Sequence, residues 1–322
     1  MTQLKEFEKL FSNLRTDKSK ARWPETTLYC APHKPFLLMS VMDHLTQGVI
    51  TENFIEPTLD LVDTFNTYWS SIMPMEMRTG SMAYPFSRLS NDRVWDLVAA
   101  PGKSINIDSI TSMRKLIDTC IGARFPEKLF QYMMLPKTRE GLRTALINTY
   151  FVQTIRADVL NCGVINQKAY DYSKSVLVKE KQPEFGKSVD KPIRDQGFRR
   201  AIVNLYEHRC AICGIRIRTI EGHTVVEAAH IKPWSISFDD SSTNGMALCK
   251  LCHWTYDKGL VGVDQNYEVK VSKQIKTDKN LLGHVLTLSG RSIFTPENKV
   301  HWPSLSNLDW HLNNRFKVQF EW

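Results

Sequence analysis

The chain has 322 residues, 42% of them hydrophobic and 24% charged, and a formal net charge of +8. That length accommodates two domains with separate cores, and the composition is ordinary for a soluble globular protein. No run approaches the roughly 20 apolar residues of a membrane span, and residues 1–8 alternate charged and apolar side chains without a signal-peptide core, so a cytoplasmic protein is expected. The excess of positive charge permits a polyanionic partner without requiring one.

The first half reads mainly as helices. From Pro35 to Thr46 the residues Phe36, Leu37, Leu38, Val41, Met42 and Leu45 fall on a broad helical face, with Gly48 as a stop. Pro57 suits the first turn of a helix in which Leu59, Leu61, Val62, Phe65, Tyr68, Trp69 and Ile72 recur at three-to-four spacing. Arg78 to Tyr84 is a polar, glycine-containing loop, and Val94 to Val98 alternates like a short strand before Pro101-Gly102. Helices are predicted over Ser112–Ile121, Pro126–Met134 and Thr138–Leu160, the last closed near Gly163. From Lys174 to Arg200 the chain holds eight Lys/Arg and four Asp/Glu with Pro183, Gly186, Pro192 and Gly197, which reads as a linker running into a helix from about Arg194 to His208. Its charge suits either a solvated tether or contact with nucleic acid.

Seven cysteines are present, and four form the pairs Cys210-x2-Cys213 and Cys249-x2-Cys252. Paired spacing in a cytosolic chain favours metal over disulfides, whereas Cys30, Cys120 and Cys162 read as buried small hydrophobes. Two knuckles supply four thiolates for a tetrahedral Zn2+, and a closed four-sulfur shell leaves no place for water, so this zinc is expected to be structural. The 35 residues between the pairs must then fold back between the knuckles.

Between the knuckles lie His230, at the end of the β-like run Thr224 to His230, and Asn244, 14 residues later; His253 follows Cys252 directly. Lys250 to Lys258 forms a short helix in which His253 and Asp257, four apart, share a face. Cutting a phosphodiester needs a base to activate water, a cation to offset transition-state charge, and positioning for in-line attack. A strand-borne His, a loop-bracing Asn and a helix-borne His holding Mg2+ or Mn2+ meet those needs. Taken singly, either histidine also suits a structural role, as a satisfied core residue or a knuckle neighbour.

The array Glu227-Ala-Ala-His230-Ile231 and Asn244-Gly-Met-Ala-Leu-Cys249-x2-Cys252-His253 resembles the four-cysteine branch of the HNH (ββα-metal) nucleases over roughly residues 198–262. The resemblance implies His230 as general base, Asn244 as the loop-positioning residue and His253 as a ligand of the catalytic divalent cation. Many such enzymes place a further ligand just before the base, where this chain has Ala229; Glu227 or Asp257 is then left to complete the shell, and the helical geometry favours Asp257.

An HNH module cuts with little sequence preference, so target choice is expected from the first half. His33-Lys34-Pro35 followed by Tyr84-Pro85-Phe86-Ser87-Arg88-Leu89, Asp92 and Trp95 resembles the sulfur-binding domains of modification-dependent (type IV) restriction endonucleases. Ser87 and Arg93 depart from residues common in those relatives. The resemblance implies recognition of phosphorothioate DNA, with Tyr84 and Pro85 as walls of a sulfur cup and His33, Lys34, Arg78 and Arg88 holding neighbouring phosphates or base edges. Burying one sulfur removes ~40 Å² from water, worth about 1 kcal/mol, so further discrimination must come from penalising oxygen in a cup without donors. Tyr84 to Phe86 also suits an ordinary turn into the core, and Arg78 a solvated loop charge.

The expected protein is thus α+β, with a mainly helical N-terminal DNA-recognition domain over 1–165, a linker over 166–193, and over 194–322 a ββα-metal nuclease domain with a four-cysteine structural zinc and a C-terminal extension. A homodimer is expected, since one active site per chain must cut two strands. The alternatives are an HNH endonuclease directed to a modified base such as 5-methylcytosine, and a non-cleaving zinc-ribbon DNA-binding protein. Trp310-His311 and Phe316 predict a C-terminal amphipathic helix on the nuclease core.

Overall fold

A computed structural model describes residues 2–77, 80–178, 189–275 and 283–317. They form two compact units, residues 1–167 with 220–223, and residues 168–219 with 224–322. No helix among the described residues is long and apolar enough to cross a membrane.

The first unit is built from α1 (Thr2–Phe11), α2 (His33–Thr46), α3 (Leu59–Ile72), α4 (Ala83–Arg88), α5 (Met113–Thr119), α6 (Glu127–Met134), α7 (Pro136–Tyr150) and the start of α8 (Arg156–Val176). β1 (Asp96–Ala99) and β2 (Cys120–Arg124) form an antiparallel pair at its side. α2 runs through the core: Phe36, Leu37, Leu38, Met39, Val41 and Met42 are all fully buried, so it is apolar around most of its circumference. α3 begins where Thr58 accepts the Leu61 N–H at 3.2 Å, a side-chain cap for one of the orphan donors of a helix start. One buried carboxylate ties four helices: Asp43 on α2 accepts from Tyr68 on α3 (2.9 Å), Arg143 on α7 (2.8 Å) and Asn166 on α8 (2.9 Å). Buried ionic groups persist when fully satisfied, and this one is.

The predicted single helix over 138–160 is two. α7 ends at Tyr150 because Phe151 turns into the core and stacks on Phe36 with ring centroids 5.5 Å apart. The carbonyls freed there are taken up by the Arg156 side chain, which donates to Phe151 O at 3.1 Å and Asn148 O at 2.8 Å. Helix α8 then carries on to Val176, so the first part of the segment read as a linker is helical, with Ala169, Tyr172 and Val176 buried at helical spacing. Residues 179–188, the remainder of its charged stretch, lie outside the described residues.

The second unit continues with α9 (Lys191–Leu205), β3 (Val226–His230), α10 (Trp234–Ser237), β4 (Gly245–Cys249), α11 (Lys250–Asp257), β5 (Val261–Val263), β6 (Val269–Val271) and α12 (Leu305–Asn314). β3 and β4 form an antiparallel hairpin with Val226 opposite Cys249 and His230 opposite Gly245, and α11 follows β4 without a gap. α9 lies across this hairpin. A Cβ on Gly245 would stand 2.5 Å from Ile202 Cδ1 and 3.0 Å from Phe198 Cζ, so only glycine lets α9 close on the strand opposite His230. α12 supplies the predicted C-terminal helix, with Leu308 and His311 buried.

Candidate active site

The two knuckles meet because backbone hydrogen bonds place them. Gly214, at φ +76°, lets the first turn close with Gly214 N–H donating to Cys210 O at 2.9 Å, and Ala211 N–H donates to Ala247 O on β4 at 2.8 Å. Cys249 ends β4 at the start of α11, and Cys252 sits in that helix's first turn. All four Sγ atoms lie within 4.8 Å of one another, and Cys213 Sγ and Cys249 Sγ are 3.8 Å apart. Zinc–sulfur bonds of about 2.3 Å in a tetrahedron set sulfur–sulfur edges of about 3.8 Å, so the quartet fits a structural Zn2+.

His230 stands at the end of β3 with its ring flat on Phe198, centroids 4.0 Å apart and planes 2° from parallel. Its Nε2 donates to Asp240 Oδ1 at 2.6 Å. Asp240 is buried, and its other oxygen accepts the Tyr172 hydroxyl at 2.5 Å and faces Arg194 Nε at 3.8 Å. Burial first, and then the Asp240 carboxylate, push the Tyr172 phenol well up, which keeps it a donor. A carboxylate only accepts, so the imidazole proton stays on Nε2 and Nδ1 keeps a free lone pair.

Asn244 is fully buried and closes the intervening loop: its amide donates to Lys232 O at 3.0 Å and Asp239 O at 2.8 Å, and its oxygen accepts Lys232 N–H at 2.9 Å. On α11, His253 Nδ1 donates to Glu227 Oε1 at 2.7 Å, and its Nε2 lies 3.5 Å from Asp257 Oδ2. His230, His253 and Asp257 line one cleft of about 370 Å³ with Trp234, Tyr256, His311 and Arg315. Among the described residues, the four cysteines are the one group that brings three or more metal-ligating atoms so close together.

Sequence reasoning placed the histidines, Asn244 and the cysteines but missed Asp240, Tyr172, Tyr256, His311 and Arg315 as neighbours of the site. Asp240 was visible only as half of an Asp239-Asp240 pair in a polar loop. Nothing in the spacing marks it as the buried member, because the choice is made by the loop closure at Asn244.

In the first unit, His33, Lys34, Tyr84, Pro85 and Arg88 line a second cavity of about 460 Å³; Arg78 lies outside the described residues. Arg15, Arg22 and Trp23, which the sequence did not single out, line it too. His33 packs edge-on to Trp23 at 5.3 Å and near Trp69 at 4.7 Å, and burial pushes its imidazole down to about 4, so it is a neutral wall near pH 7. Lys34 is buried, its ammonium bonded to Asp92 and to Arg15 O (2.8 Å), so its charge is spent inside the fold. Arg88 lies over the Tyr84 ring, 4.9 Å from its centroid.

Residues 210–264 match the HNH endonuclease family. Among solved structures, a protein described as "Modification dependent TagI restriction endonuclease" is similar at 23% sequence identity and a TM-score of 0.29, over 41% of this chain and 42% of that one. No curated protein matches. The hairpin and helix carrying His230, Asn244 and His253 fall within the matched residues, so this chain contains an HNH endonuclease domain.

Proposed function

We propose that the protein is a modification-dependent DNA restriction endonuclease that binds phosphorothioate DNA through its N-terminal unit and hydrolyses a nearby phosphodiester at the cleft between His230 and His253. The observation that carries the hydrolytic half is the pair of oriented imidazoles in one cleft. His230 Nδ1 takes the proton of the attacking water. The water oxygen bonds to phosphorus, the bond from phosphorus to the leaving deoxyribose oxygen breaks, and that oxygen is protonated from solvent. Asn244 keeps the 232–239 loop, and with it Asp240, in register with the base. His253 Nε2 and Asp257 are the residues that would hold the divalent cation, Mg2+ or Mn2+. Bonds of about 2.1 Å put neighbouring ligand atoms roughly 3.0–3.4 Å apart, close to the 3.5 Å between them. The cation supplies Lewis-acid stabilisation of phosphoryl charge. Glu227 orients His253 rather than completing the shell.

The modification reading is supported by the chemistry of the second cavity. Its walls are Trp23, Tyr84, Pro85 and a neutral His33, and its cations are Arg15, Arg22 and Arg88. Sulfur is a weaker hydrogen-bond acceptor than oxygen and loses less on leaving water for these largely aromatic walls, whereas a phosphate oxygen loses hydration there. Arginines at the edge suit the phosphates on either side. A second copy of the chain supplies the second cut.

The test compares phosphorothioate-modified and unmodified duplexes of one sequence, with Mg2+ or Mn2+ and a His230→Ala control. Cleavage confined to modified DNA and lost in the control is expected. Equal cutting of both duplexes defeats the sulfur reading alone. No cutting of either, or cutting that survives in the control, defeats the hydrolytic assignment.

A further inference from the structure

Arg315 lies well beyond residue 264, where the family match ends, yet it lines the same cleft as His230, His253 and Asp257. We infer that Arg315 is a catalytic residue whose guanidinium binds the scissile phosphate and offsets the charge that develops on it in the transition state. The inference rests on the nuclease reading of the cleft and extends it to the C-terminal segment.

The backbone delivers this side chain to a fixed place. Arg315 is the residue at which α12 ends, its N–H donating to His311 O at 2.9 Å. Just beyond it, Lys317 N–H donates to Gly259 O at 2.8 Å. Gly259 follows the last turn of α11 at φ +69°, and a Cβ there would come within 1.8 Å of Arg315 O. Any other residue at 259 would therefore push the end of α12 away from α11. One turn back, His311 stacks on Tyr256 at 3.6 Å with planes 10° apart, and its Nε2 donates to Tyr256 O at 3.0 Å. The end of α12 is thus bound to the helix that carries His253 and Asp257.

Charge explains what the cleft gains. Glu227 and Asp257 together offset a divalent cation, and Asp240 shares the Arg194 charge with Asp195. That leaves the phosphodiester, singly negative at rest and more so at five-coordinate phosphorus, without a fixed counter-charge. Arg315 is exposed, and no carboxylate among the described residues pairs with it. A planar fork of donors matches phosphoryl oxygens, and a positioned donor acts most where charge builds up.

The test uses the full chain and a duplex that the wild type cuts, with single-turnover rates at saturating protein and DNA affinity measured without divalent metal. Arg315→Gln is expected to slow cleavage by about 10²–10³-fold while affinity changes by less than about threefold. Arg315→Lys should recover part of the loss, and free guanidinium should raise the rate of Arg315→Ala, which a merely structural role would not allow. A wild type that cuts no DNA overturns the nuclease reading and this inference with it. A cutting wild type with Arg315→Gln within about threefold of its rate overturns the Arg315 assignment alone. So does a slow variant that neither lysine nor guanidinium restores.

Discussion

Replacing Asp240 by Asn changes one atom and tests whether this carboxylate sets the protonation of the base. In the native site Oδ1 accepts from His230 Nε2 at 2.6 Å, and Oδ2 accepts the Tyr172 hydroxyl at 2.5 Å and lies 3.8 Å from the Arg194 guanidinium, whose N–H groups donate to Asp195. An Asn side chain must choose which way its oxygen points. The Tyr172 hydroxyl and the nearby positive charge of Arg194 hold the oxygen on their side and turn the amide NH2 toward His230. Nε2 must then accept, the imidazole proton moves to Nδ1, and the lone pair that takes the water's proton is gone. An imidazole held in the wrong tautomer loses on the order of 10⁴ in rate, or about 5 kcal/mol of barrier. Single-turnover cleavage at saturating protein measures the loss, and the nitrogen shifts of His230 report the tautomer directly. Tyr172→Phe removes the hydroxyl donor and keeps the carboxylate, so it should cost far less than Asp240→Asn. A folded Asp240→Asn chain that cuts within about tenfold of the wild type, with Nε2 still protonated, refutes the reasoning.

Stripping zinc, or Cys249→Ser, should unfold the C-terminal unit and leave the N-terminal one protected, as read by limited proteolysis. Structural zinc contributes about 10–16 kcal/mol, comparable with the whole stability of a domain. Full protease resistance of residues 191–317 in demonstrably metal-free protein would contradict a structural role. Asp92→Ala leaves the Lys34 ammonium buried and the Arg15 N–H without its 3.0 Å acceptor, so urea unfolding of the first unit should lose about 3–5 kcal/mol, much of it returned by adding Lys34→Met. An unchanged stability would release Lys34 to act as a DNA contact. His311 is buried with its pKa pushed down to about 4, by burial first, so the unfolded chain takes up its proton first as pH falls. Stability from this group is complete above about 6.5 and is lost progressively toward 4, by at most about 3 kcal/mol. His311→Gln should flatten that part of the pH–stability curve, and an identical slope in both proteins would exclude His311 as its source.

The parts legible in the sequence are those set by local pattern. α2, α3 and α6 follow from apolar periodicity, and their observed limits differ from the expected ones by a few residues at most. The cysteine quartet converges because C-x2-C fixes each pair, and the β3–β4 register brings the second knuckle to the first. What escaped was set by distant contacts. The break between α7 and α8 has neither Gly nor Pro to mark it; Phe151 leaves the helix to meet Phe36, more than a hundred positions earlier in the chain. The helix expected over Ser112–Ile121 ends at Thr119, because Cys120 and Ile121 begin β2, which is defined by its distant pairing with β1 and Ile55. Lys34 resembled a DNA contact by its place in the sequence, but Asp92, lying far along the chain, claims its charge.

The same division runs through the active site. Its motif residues place two imidazoles at fixed backbone positions, one ending β3 and one on α11, and the cysteine quartet with Asn244 holds those positions together. A backbone position does not decide which nitrogen of a ring carries the proton, and hydrolysis needs a different choice at each. In the proposed mechanism His230 presents an unprotonated Nδ1 as base, and His253 an unprotonated Nε2 as ligand. In both cases a carboxylate makes the choice by accepting from the opposite nitrogen: Asp240 from Nε2 of His230, Glu227 from Nδ1 of His253. Asp240 has no place among the motif residues, whereas Glu227 belongs to the array and is a candidate cation ligand by sequence. Each needs only to reach the far side of its ring. The His-Asn-His array and Glu227 are legible in the sequence, but the role of Glu227 on Nδ1 of His253, and Asp240 altogether, come from loop and strand geometry.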